Sequence, residues 1–209
     1  MMTLEDIIHL LKNSKTSDEI NEKREDIASV IPAAREMFGY DQMNAAHQYD
    51  LWLHCVNTVL NLPENLDDDM LYLAALLHDI GKPECRCQGS KPGDTNMHYY
   101  GHPAKSMEIV RDIVIPELDR QGFHLGSEDR KRLLYYVAYH DDHVSLRLGH
   151  LRRHLKMADF EEFQKLMLLQ VADAKAHVQI PVVVQRITIC GALAGEEGVE
   201  LYKRILAGE

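Results

Sequence analysis

The chain has 209 residues, enough for one domain that hides roughly 70% of the surface of its unfolded chain and needs no disulfide to fold. Apolar residues make up 45% and charged residues 27%, ordinary for a globular protein, and the most apolar late stretch, 180–195, is broken by Pro181, Gln185 and Arg186, which excludes a membrane-spanning helix. The formal net charge of −10 argues against strong non-specific binding to nucleic acid, where Lys and Arg must neutralise phosphates.

The N-terminus carries Glu5 and Asp6 and no basic leader, so the expectation is a cytoplasmic protein. Seven prolines and twelve glycines suit long helices better than a many-turned sheet. Residues 3–13 place Leu4, Ile7, Ile8 and Leu11 at helical spacing, and Thr16 with Glu19 fits a capping box before a helix over 17–37, interrupted at Pro32. An apolar helix is predicted over 42–60, then a turn and an acidic helix start over 63–69. Residues 69–79 are apolar on nearly every side, the pattern of a central helix, which Gly81 and Pro83 are expected to stop.

The stretch 84–101 is the one long irregular segment, of a length common in binding loops. Helices are predicted over 103–121, 127–142, 147–156, 159–178 and 182–206, with no alternating strand pattern. The fold class is all-α. Cys55, Cys85, Cys87 and Cys190 form no CxxC pair and read as ordinary reduced thiols. The segment RLGHLRRHLK at 147–156 is basic, either a solvated helix face or a local phosphate-attracting patch.

His78 and Asp79 end the most apolar helix. An imidazole and a carboxylate there are costly unless paired or bound to a metal. The plainer alternative is a helix C-cap with an internal hydrogen bond. His54 and His47 lie seven apart on the apolar helix 42–60, and either could be a ligand or a satisfied core histidine. His98 and His102 lie in and after the irregular stretch. His140 and His143 flank Asp141 and Asp142. Asp173 sits inside an apolar helix and wants a partner. His150 and His154, four apart, could pair on a helix face, but Arg152, Arg153 and Lys156 surround them and would repel a cation.

The order His54 … His78-Asp79 … Asp173, with the segment HDIGKP, resembles the H…HD…D signature of the HD superfamily of metal-dependent phosphohydrolases. Within it, YDLWLHCVNTVL, HYYGHPAKS and LRRHLKMADFEEFQKLMLLQVADAKAH are similar to the HD region of bacterial CCA-adding enzymes and related tRNA nucleotidyltransferases. The polymerase head of those enzymes, a Gly-Ser motif followed by paired aspartates, is absent, so nucleotide addition is not expected. The resemblance spans about residues 40–180 and selects His54 over His47 as first ligand.

The resemblance implies an HD-domain helical bundle: a metal-binding domain over 41–180, a helical extension over 1–40 packed on it, and a C-terminal helix over 181–209 of the same domain. It implies a divalent ion held by His54, His78, Asp79 and Asp173. Imidazole with carboxylate suits Mn, Fe, Co, Ni or Zn. A second ion would add His102 and His140, with Asp79 bridging and His143 in reserve. The implied chemistry is hydrolysis of a phosphoester, a small-molecule or nucleotide substrate, with Asp79 and Lys82 catalytic. Lys82, Lys105, Arg152 and Arg153 are candidate phosphate binders, though Lys82 could instead serve a helix C-terminus. An HD-fold di-iron oxygenase and a non-catalytic ligand- or tRNA-binding module are the alternatives. The terminal helices leave open a homodimer.

Overall fold

The computed structural model describes residues 2–209, and these form helices with one small hairpin. Helix α1 (Leu4–Asn13) buries Leu4, Ile7 and Leu11 on one face. A capping box opens it: the Thr3 hydroxyl accepts from the Asp6 amide, and the Asp6 carboxylate accepts from that of Thr3. The box expected at Thr16 is half made. Its hydroxyl accepts from the Glu19 amide, but the Glu19 carboxylate accepts from the amide of Lys15.

The helix expected over 17–37 is three pieces: α2 (Ser17–Asn21), α3 (Arg24–Val30) and a 3-10 segment, Pro32–Met37. Proline disfavours helical dihedrals in the residue before it, and Ile31 sits at φ −120°, ψ 77°. The helix expected over 42–60 is also shorter. It is α4 (Leu51–Leu60), begun where the Asp50 carboxylate accepts from the Leu53 amide at 2.8 Å. The stretch before it commits its backbone elsewhere. The Met43 carbonyl accepts from the Met97 amide and the Ala46 carbonyl from the Val178 amide, while Met43 takes a left-handed φ of 44°.

Helix α5 (Asp69–Leu77) is buried from Met70 to Leu77 and is capped by Asp68. It packs against α1, α4, α9 (Ser127–Tyr139) and α11 (Phe160–Ala176). Each leucine it buries stabilises the fold by about 1.5–3 kcal/mol. Pro83 does not stop a helix but starts one, α6 (Lys82–Cys85), in whose first turn its missing N–H costs nothing. The corner at Gly81 lies hard against α7 (His102–Ile109): a Cβ there would meet the Ser106 nitrogen at 2.5 Å.

Against the expectation of no strands, β1 (Cys87–Gln88) and β2 (Met97–His98) pair antiparallel. Two residues per strand are too few for an alternating pattern to show. A π-helical turn, Val110–Val114, joins α7 to α8 (Ile115–Arg120), with the Ile115 amide reaching the Val110 carbonyl. Pro116 has no N–H to continue the ordinary ladder. After α10 (Leu148–His154) and α11, the single helix expected over 182–206 is two, α12 (Pro181–Ala194) and α13 (Glu196–Leu206), broken at Gly195. The two meet closely, since a Cβ on Gly198 would lie 1.9 Å from the Leu193 carbonyl oxygen. No helix is long and apolar enough to cross a membrane among the described residues.

Candidate metal centre

Five helices bring one polar residue or pair each to a common point. His54 comes from the middle of α4, Asp173 from α11, and His102 from the first turn of α7. His78 and His140 are the residues that end α5 and α9, and Asp79 follows His78. The C-terminal end of a helix dipole is negative, so the ends of α5 and α9 both favour positive charge here.

Asp79 is the hub, and its two oxygens face different partners. Oδ2 lies 3.3 Å from Nε2 of both His54 and His78 and 2.6 Å from Nζ of Lys82. Oδ1 lies 3.1 Å from Nε2 of His102 and 3.3 Å from Nε2 of His140. Oδ1 of Asp173 closes the first group, 3.0 Å from Nε2 of His54 and 3.6 Å from that of His78. Two ligand sets result, His54-His78-Asp173 and His102-His140, with one oxygen of Asp79 turned to each.

The tautomers are fixed by the backbone. Nδ1 of His78 lies 2.9 Å from the Ala75 carbonyl, that of His102 2.8 Å from Tyr99, and that of His140 2.7 Å from Val137. A carbonyl can only accept, so each Nδ1 carries a proton and each Nε2 is the nitrogen turned to the centre, where its lone pair is available in the neutral ring. His54 Nε2, His78 Nε2, Asp79 Oδ1 and Asp173 Oδ1 are buried with no hydrogen-bond partner. Converging, unmet imidazole and carboxylate atoms of this kind are what a bound cation satisfies, so the residues present fit a metal.

Electrostatics agree. Burial would raise the carboxyl of Asp79, but the Lys82 ammonium and His78, with the His102 and His140 rings against Oδ1, hold it well below the usual range. Asp173 is likewise opposed by burial and held low by His177, His54 and His78. Burial lowers His140 despite its contact with Asp79, which keeps it in the neutral, ligating form. Burial also acts to lower His78, but the adjacent carboxylates and Cys55 prevail and raise it.

The centre forms the floor of a cavity of about 560 Å³, a size that suits a small organic ligand. Tyr99 and Tyr100 line one side, His143 and Val144 a second, and Val183 and Arg186 of α12 a third. Lys82 is 4% exposed and bound to Asp79 and to the Gln42 carboxamide at 2.9 Å. His143 lines the cavity, but it is His140 that meets Asp79. The other basic candidates are not in the wall. Lys105 is paired with Glu84 and Glu108 on the surface, Arg153 with Asp142, and Arg152 is exposed.

Three wall residues escaped the sequence reading or were set aside in it. His177 lies one helical turn past Asp173, so their spacing of four was a readable signal. His47 is in the loop before α4 rather than on that helix, yet its ring packs 5.2 Å from that of His54 and 4.4 Å from that of His177. Arg186 lies outside the residues the motif touches. It donates to the carbonyls of His140 and Asp142 and pairs with Asp141 at 3.2 Å.

Fold and centre together describe an all-α protein with a buried imidazole–carboxylate cluster built on helix ends. A family model described as HD domain matches residues 7–175, and the chain belongs to the HD-domain family. HD domains are generally metal-dependent hydrolases. No curated protein matches the chain.

Proposed function

We propose that the chain is a metal-dependent phosphohydrolase, a phosphomonoesterase or phosphodiesterase acting on a nucleotide, a cyclic nucleotide or an RNA phosphate end. The observation that carries this reading is Asp79, whose two oxygens face two separate sets of imidazole nitrogens. His54, His78, Asp79 and Asp173 would hold one divalent transition ion, and His102, His140 and Asp79 a second. Bound there, such ions lower the pKa of water and neutralise phosphoryl charge.

The chain's own groups supply the rest. Lys82 orients the Asp79 carboxylate and brings positive charge to the cavity floor. Arg186 brings a second cation to the wall, where its Nε is buried without a partner. Both cations are paired, Lys82 with Asp79 and Arg186 with Asp141, so the attraction for an anionic substrate would come chiefly from the ions the centre would hold. The hairpin and Tyr100 at the mouth would select among substrates.

The test is a panel of phosphomonoesters, phosphodiesters and cyclic nucleotides, assayed with Mn, Fe, Co, Ni and Zn restored in turn. Hydrolysis of at least one class, abolished in Asp79→Ala, is expected. Silence across the panel, with iron-dependent oxygen uptake in its place, would move the reading to a di-iron oxygenase on the same ligands. Function that survives His78→Ala and Asp79→Ala would make the chain a binding module.

A further inference from the structure

A second cluster of metal-ligating side chains lies outside this centre. Helix α10 carries His150 and His154 four residues apart, hence on one face. Asp142, in the turn after α9, stands opposite them. One ligand atom from each of the three lies within 4.8 Å of the others.

Two details separate this cluster from an ordinary packed pair. His150 is 8% exposed, and neither of its ring nitrogens has a hydrogen-bond partner. Leaving a buried imidazole wholly unmet costs stability that a ligated ion would return. His154 is fully buried, with Nδ1 2.9 Å from the Tyr135 hydroxyl and Nε2 3.1 Å from Oδ2 of Asp142. The tyrosine is placed to fix which nitrogen faces the carboxylate, as the outer hydrogen bond of a metal-bound histidine does.

Arg152, Arg153 and Lys156 surround the pair in sequence. Of them, Arg153 alone reaches the cluster. Its guanidinium pairs with the Asp142 carboxylate and lies 3.5 Å from Nε2 of His154, on a side chain 47% exposed. A guanidinium there occupies the place of a cation and can withdraw into solvent.

We propose that Asp142, His150 and His154 form a separate binding site for a divalent transition ion of the zinc type, with Arg153 as the resident cation that the ion displaces. Two imidazoles and a carboxylate are an ordinary zinc donor set. The site adjoins the cavity without sharing its ligands. The Asp142 carbonyl accepts from Arg186, and His143 and Val144 of the same turn line the cavity. An ion on Asp142 would therefore pin one wall of the cavity.

The experiment is titration of the metal-stripped full chain with Zn²⁺ against a chromophoric chelator. Wild type should bind one equivalent more than His150→Ala/His154→Ala, and that equivalent should persist when the HD centre is removed by His78→Ala/Asp79→Ala. Arg153→Gln should tighten it about ten-fold, worth about 1.4 kcal/mol. Should the alanine pair not fold, Asp142→Asn at the cluster's edge must lose the same equivalent. Equal zinc contents in wild type and a folded ligand variant overturn the site. Unchanged affinity in Arg153→Gln overturns the part given to that residue. Loss of zinc from the HD centre alone would be read in the His78/Asp79 background, so the two claims fail separately.

Discussion

Asp79 meets Lys82 and four imidazoles within 3.3 Å while 2% exposed. Without metal, its charge is balanced chiefly by Lys82. Asp79→Ala therefore leaves an ammonium buried with only the Gln42 oxygen to meet it, which should cost about 3–5 kcal/mol in urea melts under chelator. Asp79→Asn should cost less, because the amide keeps an acceptor. At His150 the sign runs with pH. The folded ring takes its proton at about 4 against an ordinary 6.5, because burial above all, then His154, Arg153 and His143, press it down against Asp142. The unfolded chain is protonated first, so stability is lost as pH falls from about 6.5 to about 4. His150→Gln should flatten that part of the pH–stability curve measured under chelator, and an unchanged slope would contradict the assignment. His78, Asp79 and Asp173 were legible at this scale because each is polar where an apolar helix offers nothing to bind it. Arg186 was not. Its role depends on α12 folding back beside the end of α9, which no local spacing encodes.

Where apolar spacing is helical, as in α1, or apolar residues run unbroken, as in α5, the elements form. The errors lie at the breaks. The loop before α4 carries a helix-like pattern, but its carbonyls serve Met97 and Val178, so long-range pairing takes the backbone that a helix would use. That pairing also puts His47 beside His177 instead of one helical face from His54. Gly81 shows how elements set the site. Its backbone contact with Ser106 and Lys105 fixes the end of α5 against α7, and so sets Asp79 against His102. Gly81→Ala should lower stability by about 1–3 kcal/mol and weaken metal affinity at least ten-fold, as displaced supporting contacts do. Full metal affinity in that variant would show that the corner does not position the ligands.

Over the whole molecule, helix periodicity made the all-α class legible, while the order of packing was hidden in contacts between distant segments. The cavity is where that matters, since its walls come from the hairpin, the turn after α9 and α12, three segments with no shared motif. Ions that bind only the folded state should raise the melting temperature of the stripped protein in proportion to the logarithm of their concentration. His78→Ala/Asp79→Ala should lose most of that rise and keep the share due to Asp142, His150 and His154. The claim on which everything rests is that the HD centre holds metal and that the metal supports phosphoester hydrolysis. Elemental analysis of the full chain after reconstitution, paired with hydrolysis of a chromogenic phosphomonoester and phosphodiester, tests it most directly. Wild type should carry two more equivalents of metal than His78→Ala/Asp79→Ala, and only wild type should hydrolyse either ester. Equal metal content in the two proteins would contradict the account.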